Sequence, residues 1–302
     1  MTHQHVVKLE EANIRLDKLL TDLDPSYSRH QVQQWIKAGL VFVDGQKVKA
    51  NYKCKEGNII QWSIPVEKEI VIFPEDIPLE ILYEDDYILL VNKPTGMLVH
   101  PTKQIQTNTL VNALKYHSST LSNLSGEERA GIVHRLDKDT SGVMIVAKDN
   151  ASHEHLQQQF KQQTVRRIYE AIVDGVVSPN KGIIQAPIGR DPNQRLKRTV
   201  VPDGKEAVTH FDVLRRFNQH THVQCELMTG RTHQIRVHMK YMNHPIIGDY
   251  LYSDKPSEFI QGQALFAKEL QFKHPHTLEN MTIIVEQPPY FYNLLKKLEK
   301  MA

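Results

Sequence analysis

Residues 131–148 read GIVHRLDKDTSGVMIVAK, and this stretch decides the fold. Ile132 and Val133 lead into a dense polar loop, which gives way to the apolar run Val143-Met144-Ile145-Val146. A polar loop between buried strands sets carboxylates beside a core, where their chemistry is perturbed. The plain alternative is a turn tied by a local Arg–Asp ion pair, since turns favour Asp, Ser, Thr and Gly. Outward from this loop, strand patterns lie at 79–83, 87–91, 143–147, 168–173, 210–217 and 222–227. Helical patterns lie at 109–117, 150–162 and 290–300. Strands and helices do not alternate in a regular βαβ rhythm. The expectation is an α+β domain over 79–302 with a mixed, mostly antiparallel sheet.

Upstream, residues 13–62 read as a small separate module. Ile14, Leu16, Leu19, Leu20 and Leu23 recur at helical spacing. Ser28 caps a second helix carrying Val32, Trp35 and Ile36, with Gly39 as its stop. Val41-Phe42-Val43, the turn Asp44-Gly45 and Lys47-Val48 form a hairpin, and a further strand covers 58–64. Residues 63–78, with Pro65, Pro74 and Pro78 among many acids, read as a linker.

The 302 residues suit about two domains. With 40% apolar and 24% charged residues, the chain is neither disordered nor fibrous. No apolar run approaches the roughly 18 residues of a membrane span, so no membrane partner is expected. The first residues lack a signal-peptide pattern. Cys54 and Cys225 make no disulfide framework, which fits a reducing cytoplasm. The net charge of +2 hides a division: residues 13–62 carry +3, residues 63–86 carry −7, and residues 87–302 carry +7. Two basic bodies flank an acidic connector, so a polyanionic partner stays open. Lys47, Lys49, Lys53 and Lys55 stand together without an acid among them. They form either a solvated sheet edge or, with Arg15, Arg29 and Lys37, a phosphate-contacting strip.

A second cluster, TGRTHQIRVH at 229–238, opens an apparent helix. Cations are disfavoured at a helix N-terminus, so Arg236 there points to a bound anion, a carboxylate or a phosphate. A third stretch, NKPTGMLVHP at 92–101, lacks the glycine spacing of a phosphate loop. Sixteen histidines invite a metal, but His153-Glu154-His155 is not the zinc-helix motif, and His233 and His238 diverge around a helix. No metal site is expected, and Ser141 lacks a serine-hydrolase elbow.

These motifs together resemble the RluA-type pseudouridine synthases. GIVHRLDKDTSGVMIVAK resembles the central motif of that family, and NKPTGMLVHP resembles its first. RRIYEAIVDG at 166–175 resembles the following segment, and TGRTHQIRVH the C-terminal motif. Order and spacing agree over roughly 79–290. Arg167 departs from the family, which often has Lys there; the charge is kept. RLDKLL at 15–20 and SRHQVQQWIKAGLVFVDGQKV at 28–48 resemble the small RNA-binding domain first seen in a ribosomal small-subunit protein.

The resemblance implies isomerisation of uridine to pseudouridine in structured RNA, without a cofactor. The base is detached from the ribose at a ring nitrogen, turned, and reattached through a ring carbon. Asp137 is then the essential carboxylate, by attack on the sugar, attack on the ring, or removal of a sugar proton. A carboxylate enclosed in a base pocket tends to lose its charge, and a neighbouring cation opposes that; motif position makes Arg236 the cation. Tyr169 packs against the uracil; its plain alternative is a core aromatic. Arg135 fills the space that the flipped base vacates. Ile235, His134 and Arg231 complete the substrate site. Arg190, Arg195, Lys197 and Arg198 are backbone contacts or a merely solvated loop. Large-subunit ribosomal RNA is the expected target and a monomer the expected state. A transfer RNA target, or an RNA-binding assembly factor with a silent site, is the alternative.

Overall fold

The computed structural model describes residues 2–64, 72–102, 104–194, 196–254, 257 and 259–301. The chain divides into two compact units, Met1–Glu69 and Ile70–Ala302.

The first unit contains β1 (Thr2–Val6), α1 (Leu16–Leu23), α2 (Arg29–Lys37), β2 (Val41–Val43), β3 (Gln46–Lys47) and β4 (Ile59–Ser63). Its antiparallel sheet runs β1-β4-β2-β3. The apolar spacing of the two helices buries Leu16, Leu20, Val32 and Ile36 against Ile60 and Trp62. Ser28 caps α2, accepting the Gln31 N–H while the Gln31 side chain returns to the Ser28 N–H. Asp44 and Gly45 both take positive φ, as a two-residue hairpin turn requires. A start at residue 13 omits β1, whose polar sequence pairs along β4 as a sheet edge.

The second unit is α+β. Its elements begin with β5 (Glu80–Glu84), β6 (Ile88–Lys93), α3 (Leu110–His117), β7 (Ser141–Ala147), α4 (Asn150–Lys161) and β8 (Arg166–Asp174). They continue with β9 (Lys181–Gln185), β10 (Ile188–Arg190), β11 (Arg198–Val200), β12 (Val208–Arg216) and β13 (His220–Leu227). The chain closes with α5 (Gln234–Tyr241), β14 (Leu265–Lys273), β15 (Asn280–Ile284) and α6 (Pro289–Lys300). The large sheet runs β5-β6-β7-β14-β8-β13-β12-β9, with β15 also on β14, and β10 and β11 form a separate hairpin. Among the named strands every pairing is antiparallel except β7 with β14.

That parallel contact sits directly after the polar loop. Gly142 has φ 117°, and a Cβ there would lie 2.2 Å from the Ala267 carbonyl oxygen, so only glycine lets the strands meet. All seven residues of β7 are buried, which roots the loop in the core. Residues 72–78 do not behave as a free linker. Ile72 is buried in the core of the second unit, Phe73 O accepts from Asn112 at 2.9 Å, and Glu75 accepts from the Asn108 N–H.

Candidate active site

A cavity of about 520 Å³ opens beside the 134–140 loop. Asp137, Arg135, His134, Tyr169, Arg231, Ile235 and Arg236 all line it. Every residue that the sequence assigns to catalysis or substrate contact therefore meets at one place, from the loop, β8 and the start of α5.

The loop is held by groups that donate to its backbone. Lys93 is fully buried and its Nζ donates to the carbonyls of Pro94 (2.8 Å), Met97 (2.8 Å) and Lys138 (3.0 Å). Burial pushes Lys93 down to about 7, with Asp139 and Asp137 opposing, while three carbonyl acceptors ask for all three ammonium protons. Thr95 Oγ1 donates to Asp139 O at 3.0 Å, and Gln263 Nε2 donates to Thr140 Oγ1 at 3.0 Å. His134 accepts the Ile145 N–H through Nε2 at 3.1 Å and stacks on Phe160. Burial and nearby Arg167 push its pKa to about 3. Nε2 is thus engaged by the backbone, so His134 shapes the loop rather than offering that nitrogen to a substrate.

Arg236 stands in the first turn of α5, which Gln234 anchors by donating to Val208 O and to Thr209 Oγ1, both at 3.0 Å. The guanidinium serves two carboxylates. It donates to Asp249 at 2.7 and 2.8 Å and to Asp137 Oδ2 at 3.0 Å. Burial works against its charge, but the bonds to Asp249 and the field of Asp137 outweigh that and raise its pKa. The expected pairing of Arg236 with Asp137 is present, and Asp249 is an addition that the sequence did not announce. The cost of a cation at a helix start is offset by two anions.

Tyr169 is 7% exposed on β8. Burial, eased by Arg167 and reinforced by Asp137, pushes its hydroxyl to about 12, so it is a neutral phenol at ordinary pH. Arg167 behind it donates to Leu227 O at 3.1 Å and covers the Phe160 ring at 5.7 Å. Arg135 is exposed at the mouth of the cavity. Arg231 Nε donates to Glu206 O at 2.8 Å, and Ile235 is buried in the wall.

The basic residues singled out in the first unit fall into two kinds. Lys37, Lys47 and Lys49 are exposed. Arg15 and Arg29 instead hold the buried Asp17 at 3.0 and 3.1 Å, with Gln33 adding a third donor at 2.7 Å. Burial opposes the charge of Asp17, yet these donors hold it well below the usual carboxylate range. Arg190 and Arg198 lie on the β10–β11 hairpin, with Lys197 just ahead of β11; Arg195 lies outside the described residues. Among the described residues, no group of three or more His, Cys, Asp or Glu is placed to hold a metal ion, and no helix is long and apolar enough to cross a membrane.

With the fold and this cavity established, comparison with known proteins gives the class. The family model for RNA pseudouridylate synthase matches residues 87–241, and the S4 domain model matches residues 14–60. The chain belongs to the RNA pseudouridine synthase family and carries an N-terminal S4 domain. It is 47% identical to an uncharacterized RNA pseudouridine synthase, YlyB, of Bacillus subtilis, with 96% of each chain covered. It is 44% identical to the ribosomal large subunit pseudouridine synthase D of Neisseria meningitidis serogroup A, covering 98% of this chain and 82% of that one. Among solved structures, human RNA pseudouridylate synthase domain containing 4 superposes with a TM-score of 0.58 at 26% identity, covering 73% of this chain and 93% of that one. The enzyme is an isomerase acting on RNA.

Proposed function

We propose that the enzyme converts specific uridines of large-subunit ribosomal RNA to pseudouridine in the cytoplasm, as a monomer, with Asp137 as the reacting carboxylate. The observation that carries the site assignment is the Asp137–Arg236 contact at 3.0 Å in the cavity wall, with Arg236 itself braced by Asp249. The guanidinium orients Asp137 through Oδ2 and sets a countercharge beside it in a pocket from which a bound uracil would exclude water. Neutral Tyr169 stacks on the base, and Ile235 walls it. Arg135, free at the mouth, enters the gap that the flipped base leaves in the RNA. Arg231 and the β10–β11 hairpin contact the neighbouring backbone, and Lys37, Lys47 and Lys49 of the S4 domain add phosphate contacts. The ribosomal target rests on relatives of that name at 40% identity and above.

The test is tritium release from large-subunit ribosomal RNA labelled at uridine carbon 5, since that hydrogen leaves when the new carbon–carbon bond forms. Wild type should release tritium and Asp137→Asn should not. Equal release from both would overturn the Asp137 assignment. Release from transfer RNA alone would overturn the ribosomal target.

A further inference from the structure

The residue that caps α5 is conformationally costly. His233 sits at φ 59°, ψ 21°, a left-handed backbone that suits Asn better than His, and its side chain makes no capping bond. Its ring is instead held from two sides. Nδ1 lies 2.8 Å from the Tyr252 hydroxyl, and Nε2 lies 3.9 Å from Asp137 Oδ1. The oxygen that Nε2 faces is the one Arg236 leaves open, because Arg236 binds Oδ2.

Two neighbours set which nitrogen carries the proton. The Tyr252 hydroxyl oxygen accepts the backbone N–H of Arg198 at 2.9 Å, which leaves its own proton for Nδ1, and the Asp137 carboxylate that faces Nε2 can only accept. A neutral imidazole that accepts at Nδ1 bears its proton on Nε2, toward Asp137. Burial lowers the His233 pKa; Asp137 and Asp249 oppose this, Arg236 and Arg135 assist it, and the net direction keeps the ring neutral near pH 7. Arg198 belongs to β11, so one chain of hydrogen bonds runs from the hairpin through Tyr252 to His233.

We propose that His233 is a positioning residue for Asp137: Tyr252, tied to the β10–β11 hairpin, fixes its tautomer, and its Nε2–H closes onto Oδ1 when RNA fills the cavity. A closure of about 1 Å turns the present separation into a hydrogen bond. Asp137 is then bracketed by one donor on each oxygen, and hairpin seating is linked to carboxylate orientation. This rests on Asp137 as the reacting carboxylate, so Asp137→Asn is run beside every variant.

The experiment uses the full chain, tritium release under steady-state conditions, and long-range 1H–15N spectra of histidine-labelled protein. Asn at 233 suits the left-handed backbone but is too short to reach Asp137, whereas Gln places an amide N–H near the Nε2 position. His233→Asn should melt no lower than wild type yet lose roughly tenfold or more in kcat, with KM unchanged. His233→Gln should restore most of that loss despite the less suitable backbone. Tyr252→Phe should shift the His233 nitrogens toward a mixture of tautomers and lower kcat. Wild-type turnover in His233→Asn, equal losses in Asn and Gln, or a wild-type ring protonated on Nδ1 would each overturn the proposal while Asp137→Asn stays inactive. An active Asp137→Asn would overturn the reading beneath it instead.

Discussion

Asp249→Asn separates what holds the site from what reacts in it. The Asp249 side chain is fully buried and takes two Arg236 bonds, at 2.7 and 2.8 Å. Asp137 is 17% exposed and takes one, at 3.0 Å. Removing one partner of a buried ion pair costs about 3–5 kcal/mol, because the remaining charge is left uncompensated. Asn keeps one oxygen for the Arg236 bond and for the N–H groups of Leu251 and Tyr252, but its amide then faces Arg236 Nε donor to donor. With Asp137 still present, the expected loss is about 2–3 kcal/mol. Asp137→Asn acts at the partly solvated edge of the network and leaves the buried two-bond contact with Asp249 whole, so about 1 kcal/mol or less is expected. At about 2–4 °C per kcal/mol for a unit of this size, Asp249→Asn should melt roughly 4–12 °C lower and Asp137→Asn close to wild type. Differential scanning calorimetry of the full chain reads the stability, and tritium release reads the chemistry. Asp137→Asn should be inactive and stable, Asp249→Asn unstable and slowed. Equal melting losses in the two variants, or wild-type melting in Asp249→Asn, would refute the division of labour.

Three further outcomes follow from charges elsewhere. Glu170 is buried next to Tyr169 on β8; burial opposes its charge, but His222, Lys268 and Gln287 outweigh that and hold it at about 2. A depressed carboxyl adds stability that is complete above its unfolded value of 4.5 and is lost as pH falls toward about 2. Wild type should therefore lose on the order of 2–3 kcal/mol across that window, read from urea midpoints, and Glu170→Gln should show a flatter decline. In the S4 domain, replacing exposed Lys37, Lys47 and Lys49 by Gln should flatten the salt dependence of RNA binding by roughly one unit of log–log slope for each phosphate left unneutralised, without lowering the melting temperature. Arg29→Gln should instead destabilise that domain, because it strips a donor from buried Asp17.

What was legible in the sequence depended on local chemistry. Ser28 accepts a backbone N–H at the head of α2, so that start could be read from its cap; α3 and α4 were read from their helical pattern, and Thr109 and Asp149 prove to cap them. Asp44-Gly45 announced its hairpin because both residues tolerate the positive φ that a two-residue turn needs. Strand β14 escaped because its pattern is broken where it is most useful. A register shift between Ala267 and Glu269 takes Lys268 out of the alternation, and that lysine pairs with Glu170. Residues 72–78 passed for a linker because their prolines and acids dominate, although Ile72 and the backbone of Phe73 belong to the second unit. Alternation on β8 was equally poor as a guide to Tyr169, since residues 167–173 are all buried and both faces carry polar groups in use.

The same logic explains the site. Asp137 and Arg236 stood out because each sits in a dense polar motif, and the cation occupied a position where a helix disfavours it. Asp249 and Lys93 did not: Asp249 lies outside the motifs, and Lys93, though within NKPTGMLVHP, has neighbours that suggest no chemistry for it. Each is one ionisable residue beside an apolar stretch, Ile246-Ile247 or Leu89-Leu90-Val91, where a turn or strand end ordinarily meets water. Their value appears only once the fold has buried Asp249 against the Arg236 guanidinium and Lys93 against three carbonyls. A motif displays the groups that meet the substrate; the groups that hold those in place are chosen by burial, and burial is a property of the fold. The left-handed His233 lies between the two cases, for it is inside a recognisable motif, yet its backbone strain and fixed tautomer exist only through Tyr252, beyond the motif's end.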